Sequence, residues 1–198
     1  MIVQDGTGSG YKAKVDENFR VHTEGVTRSA LTEAVFQGEA FNFNTGSMVL
    51  TSANESAIGY FKYNGADPFV VKEILFIIGA TTGGSGDGTA RIYKNPTGGT
   101  IVTNALAVET AENRDFSSSI TVEGDLYKGA EGYTTTGGTT FADTARSSFG
   151  TVITFDAGEI ILRKGNSLAV TWAPPTGNTS QSAKIAATGY IAGSDVFA

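Results

Sequence analysis

Cysteine is absent from the 198-residue chain, so no disulfide and no thiolate metal site can form, and the fold must rest on packing, backbone ladders or partner subunits. Histidine occurs once, as His22. A Ser-His-Asp system or a zinc site would have to be built around that single ring in an irregular N-terminal stretch, which argues against imidazole acid–base chemistry and against metalloenzymes. Proline is limited to 4 residues and tryptophan to Trp172. Basic residues are outnumbered, 14 against 20 acidic ones, giving a net charge of -6 and a pI near 4.8. Such a chain has no electrostatic footprint for phosphate backbones or anionic lipid, so nucleic acid and membrane partners are not expected. Long hydrophobic runs are missing too: the longest, residues 69–78, is broken by Lys72 and Glu73. The N-terminus, Met1-Ile2-Val3-Gln4-Asp5-Gly6, has neither the basic nor the apolar region of a secretory signal. The expectation is a soluble protein made in a cytoplasm, in which the triplets Asn54-Glu55-Ser56 and Asn178-Thr179-Ser180 are chance matches to a glycosylation signal.

What is abundant is glycine, 26 residues, accompanied by many threonines and serines. From about residue 35 the chain punctuates itself every eight to twelve residues with turn chemistry, such as Asn64-Gly65, Gly83-Gly84-Ser85-Gly86-Asp87-Gly88, Asn95-Pro96, Gly137-Gly138 and Pro174-Pro175-Thr176-Gly177. Between the turns lie strand candidates at 47–53, 56–63, 69–79, 89–94, 105–109, 119–126, 151–155, 159–162, 167–172 and 183–191. This rhythm predicts an all-β fold, a jelly-roll-like antiparallel β-sandwich over residues 35–198. Residues 1–34 read differently: Gly6-Thr7-Gly8-Ser9-Gly10 is followed by charges mixed with isolated apolar residues, which suits an extended N-terminal arm that orders against a neighbour. Ser29 is placed to cap a short helix over residues 29–36, with Glu33 in its first turn. The Gly/Thr stretch 129–138 reads as a long surface loop.

Side chains alternate across a strand. Leu168, Val170 and Trp172 therefore share one face and Ser167, Ala169 and Thr171 the other, a half-buried pattern that makes Trp172 core rather than a sugar platform. Ile120 and Val122 likewise oppose Ser119, Thr121 and Glu123. Residues 74–78 are apolar on both faces, so cover is expected on both sides. The N-terminal arm, a subunit interface or a longer loop would supply it. On this reading the candidate interface residues are Tyr11, Phe19, Val21 and Val26 of the arm, with Ile74, Phe76 and Ile78 of the strand.

Motifs for chemistry are largely missing. The acidic turn groups Asp87, Glu109 with Glu112 and Asp115, and Asp156 with Glu159 do not follow the spaced-acid pattern of a calcium loop and read as solvated carboxylates. The glycine-rich stretches lack the Gly-Lys-Ser/Thr ending of a phosphate-binding loop. No catalytic residue, metal ligand or cofactor is assigned, and a carboxylate hydrolase is the least favoured class.

Several stretches together resemble virion proteins of tailed phages: Gly38-Glu39-Ala40-Phe41-Asn42-Phe43-Asn44-Thr45-Gly46, Leu50-Thr51-Ser52-Ala53-Asn54-Glu55-Ser56, Lys94-Asn95-Pro96-Thr97-Gly98-Gly99-Thr100, Tyr127-Lys128-Gly129-Ala130-Glu131-Gly132 and Pro174-Pro175-Thr176-Gly177-Asn178-Thr179-Ser180. These are turns and strand edges, not a catalytic signature. The resemblance implies a non-enzymatic structural component, similar to the small jelly-roll decoration (cement) proteins that sit as trimers on the outer capsid surface and bridge major capsid protein subunits. A tail or baseplate protein, or a receptor- or carbohydrate-binding module of a tail fibre, are the alternatives that the same residues allow.

Overall fold

The structure, a computed structural model, describes residues 2–4, 12–15, 21–22, 29–103, 109–147, 151–155 and 160–192. Strands β1 (Ile2–Gln4), β2 (Lys12–Val15) and β3 (Val21–His22) form a small antiparallel sheet of their own in the order β1-β2-β3. The N-terminal segment expected to be extended thus contains a three-stranded meander.

Helix α1 (Ala30–Phe36) begins where its cap predicts, with the Ser29 hydroxyl accepting from the Thr32 amide at 3.1 Å. It ends on Gly38, whose φ of 72° is the left-handed conformation that favours glycine. Ala34 is buried against Val70 and Tyr190, so the helix crosses the boundary drawn at residue 34 and belongs with the body.

The body continues through β4 (Ala40–Asn44), β5 (Met48–Leu50), β6 (Ser56–Tyr63), β7 (Phe69–Ile78), β8 (Asp87–Lys94), α2 (Thr100–Thr103), β9 (Glu112–Asn113), β10 (Gly124–Lys128), β11 (Thr139–Ser147), β12 (Thr151–Phe155), β13 (Ile160–Leu162), β14 (Ser167–Ala173) and β15 (Gln181–Ile191). Sheet I has the order β12-β7-β15-β4-β9, with β13 also on β7 and β5 also on β15; sheet II has the order β10-β6-β14-β8-β11. Because β4 and β5 share a neighbour, as do β12 and β13, each pair is one pass of the chain. Leaving aside β9 and β10, the eight passes interleave as 1-8-3-6 in sheet I and 2-7-4-5 in sheet II, the double Greek key of a jelly roll. The β9 and β10 strands come from one long insertion between β8 and β11. It caps the β4 edge of sheet I and the β6 edge of sheet II, removing two open edges.

Two bulges decide which side chains face inward. Pairing of β14 with β6 passes from Val170↔Gly59 to Thr171↔Ala57, leaving Ile58 as the extra residue. Ala57 and Tyr60 consequently face outward while Ile58, Phe61 and Tyr63 point into the core. On β7, pairing with β15 passes from Glu73 to Val71 and leaves Lys72 over. The charged pair Lys72 and Glu73 is thereby turned away from the core, which resumes at Ile74. This is how the longest apolar run accommodates two charges.

Phe69 sits at the centre of an aromatic cluster, 5.4 Å from Phe61, 5.7 Å from Phe43 and 5.5 Å from Tyr63 between ring centroids. Burial of Tyr63, reinforced by Glu123, Asp67 and Glu39, pushes its hydroxyl up to about 12. Trp172 is fully buried, as its strand pattern predicts. The expected half-burial of β14 is corrected, however. It is an interior strand of sheet II whose second face, Ala169 and Thr171, is also buried. The strand expected at 119–126 starts only at Gly124, and Ile120 is exposed in irregular chain.

Side-chain pins hold the loops at one end of the sandwich. Asn178 is buried, donates from Nδ2 to the carbonyls of Leu50 at 2.9 Å and Ser52 at 3.2 Å, and accepts from the Thr81 hydroxyl through Oδ1. Asn178→Ala strips partners from buried groups in two loops and should cost about 2–3 kcal/mol, read as a lower urea midpoint with unchanged slope.

Candidate functional site

The outer face of sheet I is divided. Helix α1 covers one end by packing on Val70 and Tyr190. Further along, Leu75 and Ile77 are half-buried, and Val152, paired beside Ile77, is 57% exposed. Lys184 lies on the other side of Ile77.

This placement revises the expected interface. Ile74, Phe76 and Ile78 point between the sheets at 1%, 0% and 3% exposure, so they are core and a partner cannot reach them. The accessible side chains of the same strand are the alternate ones, Leu75 and Ile77, because successive residues face opposite ways. Tyr11, Phe19 and Val26 lie outside the described residues. Val21 is paired with Val15 through its backbone, and its side chain is outside the described set.

A second apolar feature lies at the end of α1. Phe116 is fully exposed and Ile120 is 42% exposed on the loop after β9. Asn113 fastens that loop by donating from Nδ2 to the carbonyls of Gly38 at 2.6 Å and Ile120 at 3.0 Å.

The outer face of sheet II is roofed by the chain itself. The 129–138 stretch, expected as a long surface loop, is tied to β6 over residues 129–133. The Gly129 amide donates to Ile58, the Tyr133 carbonyl accepts from Ala57 at 2.7 Å, and the Gly132 amide donates to the Ser56 hydroxyl at 3.0 Å. Glu131 accepts from the Thr51 amide and hydroxyl, which hold its carboxyl below the usual range. Of the seven tyrosines, Tyr60, Tyr93, Tyr127 and Tyr133 gather on this face around buried Ile101 of α2. The Tyr60 and Tyr127 rings stack at 5.7 Å and 17°.

Beside that cluster is a cavity of about 200 Å³ lined by Glu55, Ala57, Tyr93, Tyr133, Thr134, Thr135 and Thr171. The Glu55 carboxylate accepts from Arg91 Nη1 at 2.5 Å, from the Tyr93 hydroxyl at 3.2 Å and from the Thr171 hydroxyl at 2.5 Å. Arg91 also donates from Nε to Asp143 at 2.8 Å, a hydrogen bond that raises its pKa. Burial, with the Glu55 charge beside it, raises the Tyr93 hydroxyl, which therefore stays protonated. Among the described residues, one buried side-chain oxygen has no hydrogen-bond partner, the Thr135 hydroxyl. Sequence reasoning did not find this group. The only local signal was the concentration of tyrosine between residues 60 and 133.

Among the described residues, no group of three or more His, Cys, Asp or Glu side chains is placed to hold a metal ion, and no helix is long and apolar enough to cross a membrane. No family model matches the chain, and no curated protein does. Among solved structures it is similar, with 14% identity and a TM-score of 0.21, to a chain from "Structure of infectious bursal disease virus Gt strain". The match covers 80% of this chain and 41% of that one. A score that low does not equate two folds, and the jelly-roll assignment rests on strand order.

Proposed function

We propose that this chain is a non-enzymatic structural protein of a tailed-phage virion, a capsid decoration protein that docks as a trimer on the outer capsid surface and bridges major capsid protein subunits. The observation that carries the reading is the asymmetry of the jelly roll. The chain roofs sheet II with its own insertion but leaves Leu75, Ile77 and Val152 on the outer side of sheet I. A protomer with one self-covered face and an apolar patch, bordered by Lys184 and Thr154, on the other is suited to burying that patch against a sister subunit. The sequence resemblance to tailed-phage virion proteins supplies the particle. The segment before Ser29 would be the clamp, adding a second low-affinity attachment to each copy and multiplying avidity over many copies.

Cryo-electron microscopy of the particle that carries the protein tests this directly. Density at threefold or quasi-threefold positions of the outer lattice is the expected result; density confined to the tail would overturn the decoration role in favour of a tail or baseplate protein. Deleting residues 1–28, which spares α1, should leave the body folded with its melting temperature within a few degrees and abolish retention on the particle.

A further inference from the structure

We propose that copies of this chain join head to tail, with Phe116 of one copy seated in the open slot between the two sheets of the next. The contact deepens the trimeric reading, on which it rests, by placing a knob and its hole on different edges of the fold.

The knob is held in place by the chain around it. Phe116 is fully exposed on the loop after β9, at the β9 edge of sheet I. Asp115 Oδ1 accepts from the Ser117 amide at 2.9 Å and hydroxyl at 2.7 Å, and Asn113 Oδ1 accepts from the Asp115 amide at 2.9 Å. Through its Nδ2, Asn113 also ties the loop to the end of α1. An aromatic carried on a fixed loop costs little further ordering when it docks, and large aromatics dominate the energetics of interfaces. Ile120 on the same loop and Phe36 at the end of α1 are exposed as well, adding apolar surface at this corner.

The hole lies at the opposite edges of both sheets. There β13 of sheet I and the β8–β11 pair of sheet II enclose a cavity of about 200 Å³ whose apolar lining is Ile92, Phe141, Ile160, Ile161, Leu162 and Leu168. Phe141 and Ile161 are exposed, so the slot is open to a neighbour. Phe141 is the extra residue of a bulge, because pairing of β11 with β8 passes from Thr140↔Tyr93 to Ala142↔Ile92. An apolar cavity of about 150 Å³ is enough to hold benzene, so the phenyl group of Phe116 fits this one. Val152 of the apolar patch lies on the same side of β7 as β13, so one neighbour can cover both.

Charge selects a second copy as the occupant. Around the knob, Glu33, Glu112 and Asp115 outnumber Arg114. Lys94 lines the hole, and Arg163 and Lys164 follow directly on Leu162. Among the described residues none of these three cations has an ion-pair partner, whereas Asp143 on β11 is already held by Arg91 at 2.8 Å. An acidic knob and a basic hole attract each other, while two knobs or two holes repel, which favours a heterologous contact over a two-fold one.

Analytical ultracentrifugation of the full-length protein up to about 1 mM tests this, and species larger than a dimer are expected. Phe116→Ser and Phe141→Asp alter exposed side chains, so both should keep their melting temperatures within a few degrees. Each should weaken association about tenfold or more, the first by removing the knob and the second by setting an acid in the hole. Mixing them is the discriminating experiment. Phe116→Ser keeps a working hole and Phe141→Asp a working knob, so an equimolar mixture should form a dimer and nothing larger. The proposal is overturned if the wild type stays monomeric or stops at a dimer, or if the mixture remains monomeric. A trimer that Phe116→Ser leaves intact would also overturn it while leaving the trimeric reading standing, and the place of the protein in the particle is decided separately by the reconstruction.

Discussion

Replacing Trp172 with alanine is expected to lower the unfolding free energy by about 4 kcal/mol, the range found when a large aromatic is truncated in a packed core. The indole is fully buried on β14 and packs so closely over β8 that a Cβ added at Gly88 would lie 2.3 Å from the ring. Its Nε1 donates to Gln181 Oε1 at 2.8 Å, and Gln181 Nε2 donates to the Gly79 carbonyl at 3.0 Å. Trp172 belongs to sheet II and Gln181 to sheet I, so this chain of hydrogen bonds joins the two layers inside the core. Truncation removes the packing and leaves the Gln181 carbonyl without its donor. For a chain of this size the melting temperature should fall by about 8–16 °C. Trp172→Phe keeps a buried six-membered ring but removes the Nε1 donor together with the rest of the indole, and a smaller cost of about 1–3 kcal/mol is expected. Calorimetry or urea unfolding reads both, and a loss below about 1 kcal/mol for the alanine variant would show that the layers are not held at this point.

The second large effect is expected at Gly129, where β10 hands over to the segment that roofs sheet II. A Cβ at this position would lie 1.8 Å from the Ala57 carbonyl oxygen and 2.6 Å from its carbon. Both obstacles are backbone, so no rotamer change relieves them. The Gly129 amide is meanwhile bonded to the Ile58 carbonyl at 2.7 Å, which holds the two strands at that spacing. Gly129→Ala must open the end of the β10–β6 pairing, at a cost of about 3 kcal/mol. The damage should be local: limited proteolysis should cut within residues 129–138 first, while the aromatic core around Phe69 keeps its near-ultraviolet signal. Wild-type stability together with wild-type protection of that segment would mean that the roof is not anchored through this glycine.

These two residues mark the limits of what could be read in advance. Trp172 was legible because it belongs to a regular alternation, Leu168-Val170-Trp172, that any single strand displays. Gly129 was visible only as part of a Gly/Thr-rich stretch, and that composition is shared by free loops and by loops that lie flat on a sheet. Ser29 and its helix were legible because capping is settled within four residues. Strand β11 was missed because, as a strand at the edge of sheet II, it carries few apolar side chains, and its polar sequence resembles a loop. For Ile74, Phe76 and Ile78 the run of apolar residues showed only that both faces of the strand carry apolar side chains; choosing which alternate set faced outward needed the bulge at Lys72 and the position of the second sheet.

Taken by itself, the sequence determined the all-β class, the turn rhythm of a sandwich, the exclusion of disulfides and thiolate sites, and the core position of the one tryptophan. All of these follow from composition or from patterns confined to a few neighbouring residues. The tertiary structure alone decided the jelly-roll strand order, the inward and outward faces of β6 and β7, and the cavity around Glu55. That cavity joins Glu55 to Arg91, 36 residues away, and to Thr171, 116 residues away. Such separations carry no local signature, because the pairing of distant strands and the bulges that set its phase are properties of the packed sheets rather than of any one segment.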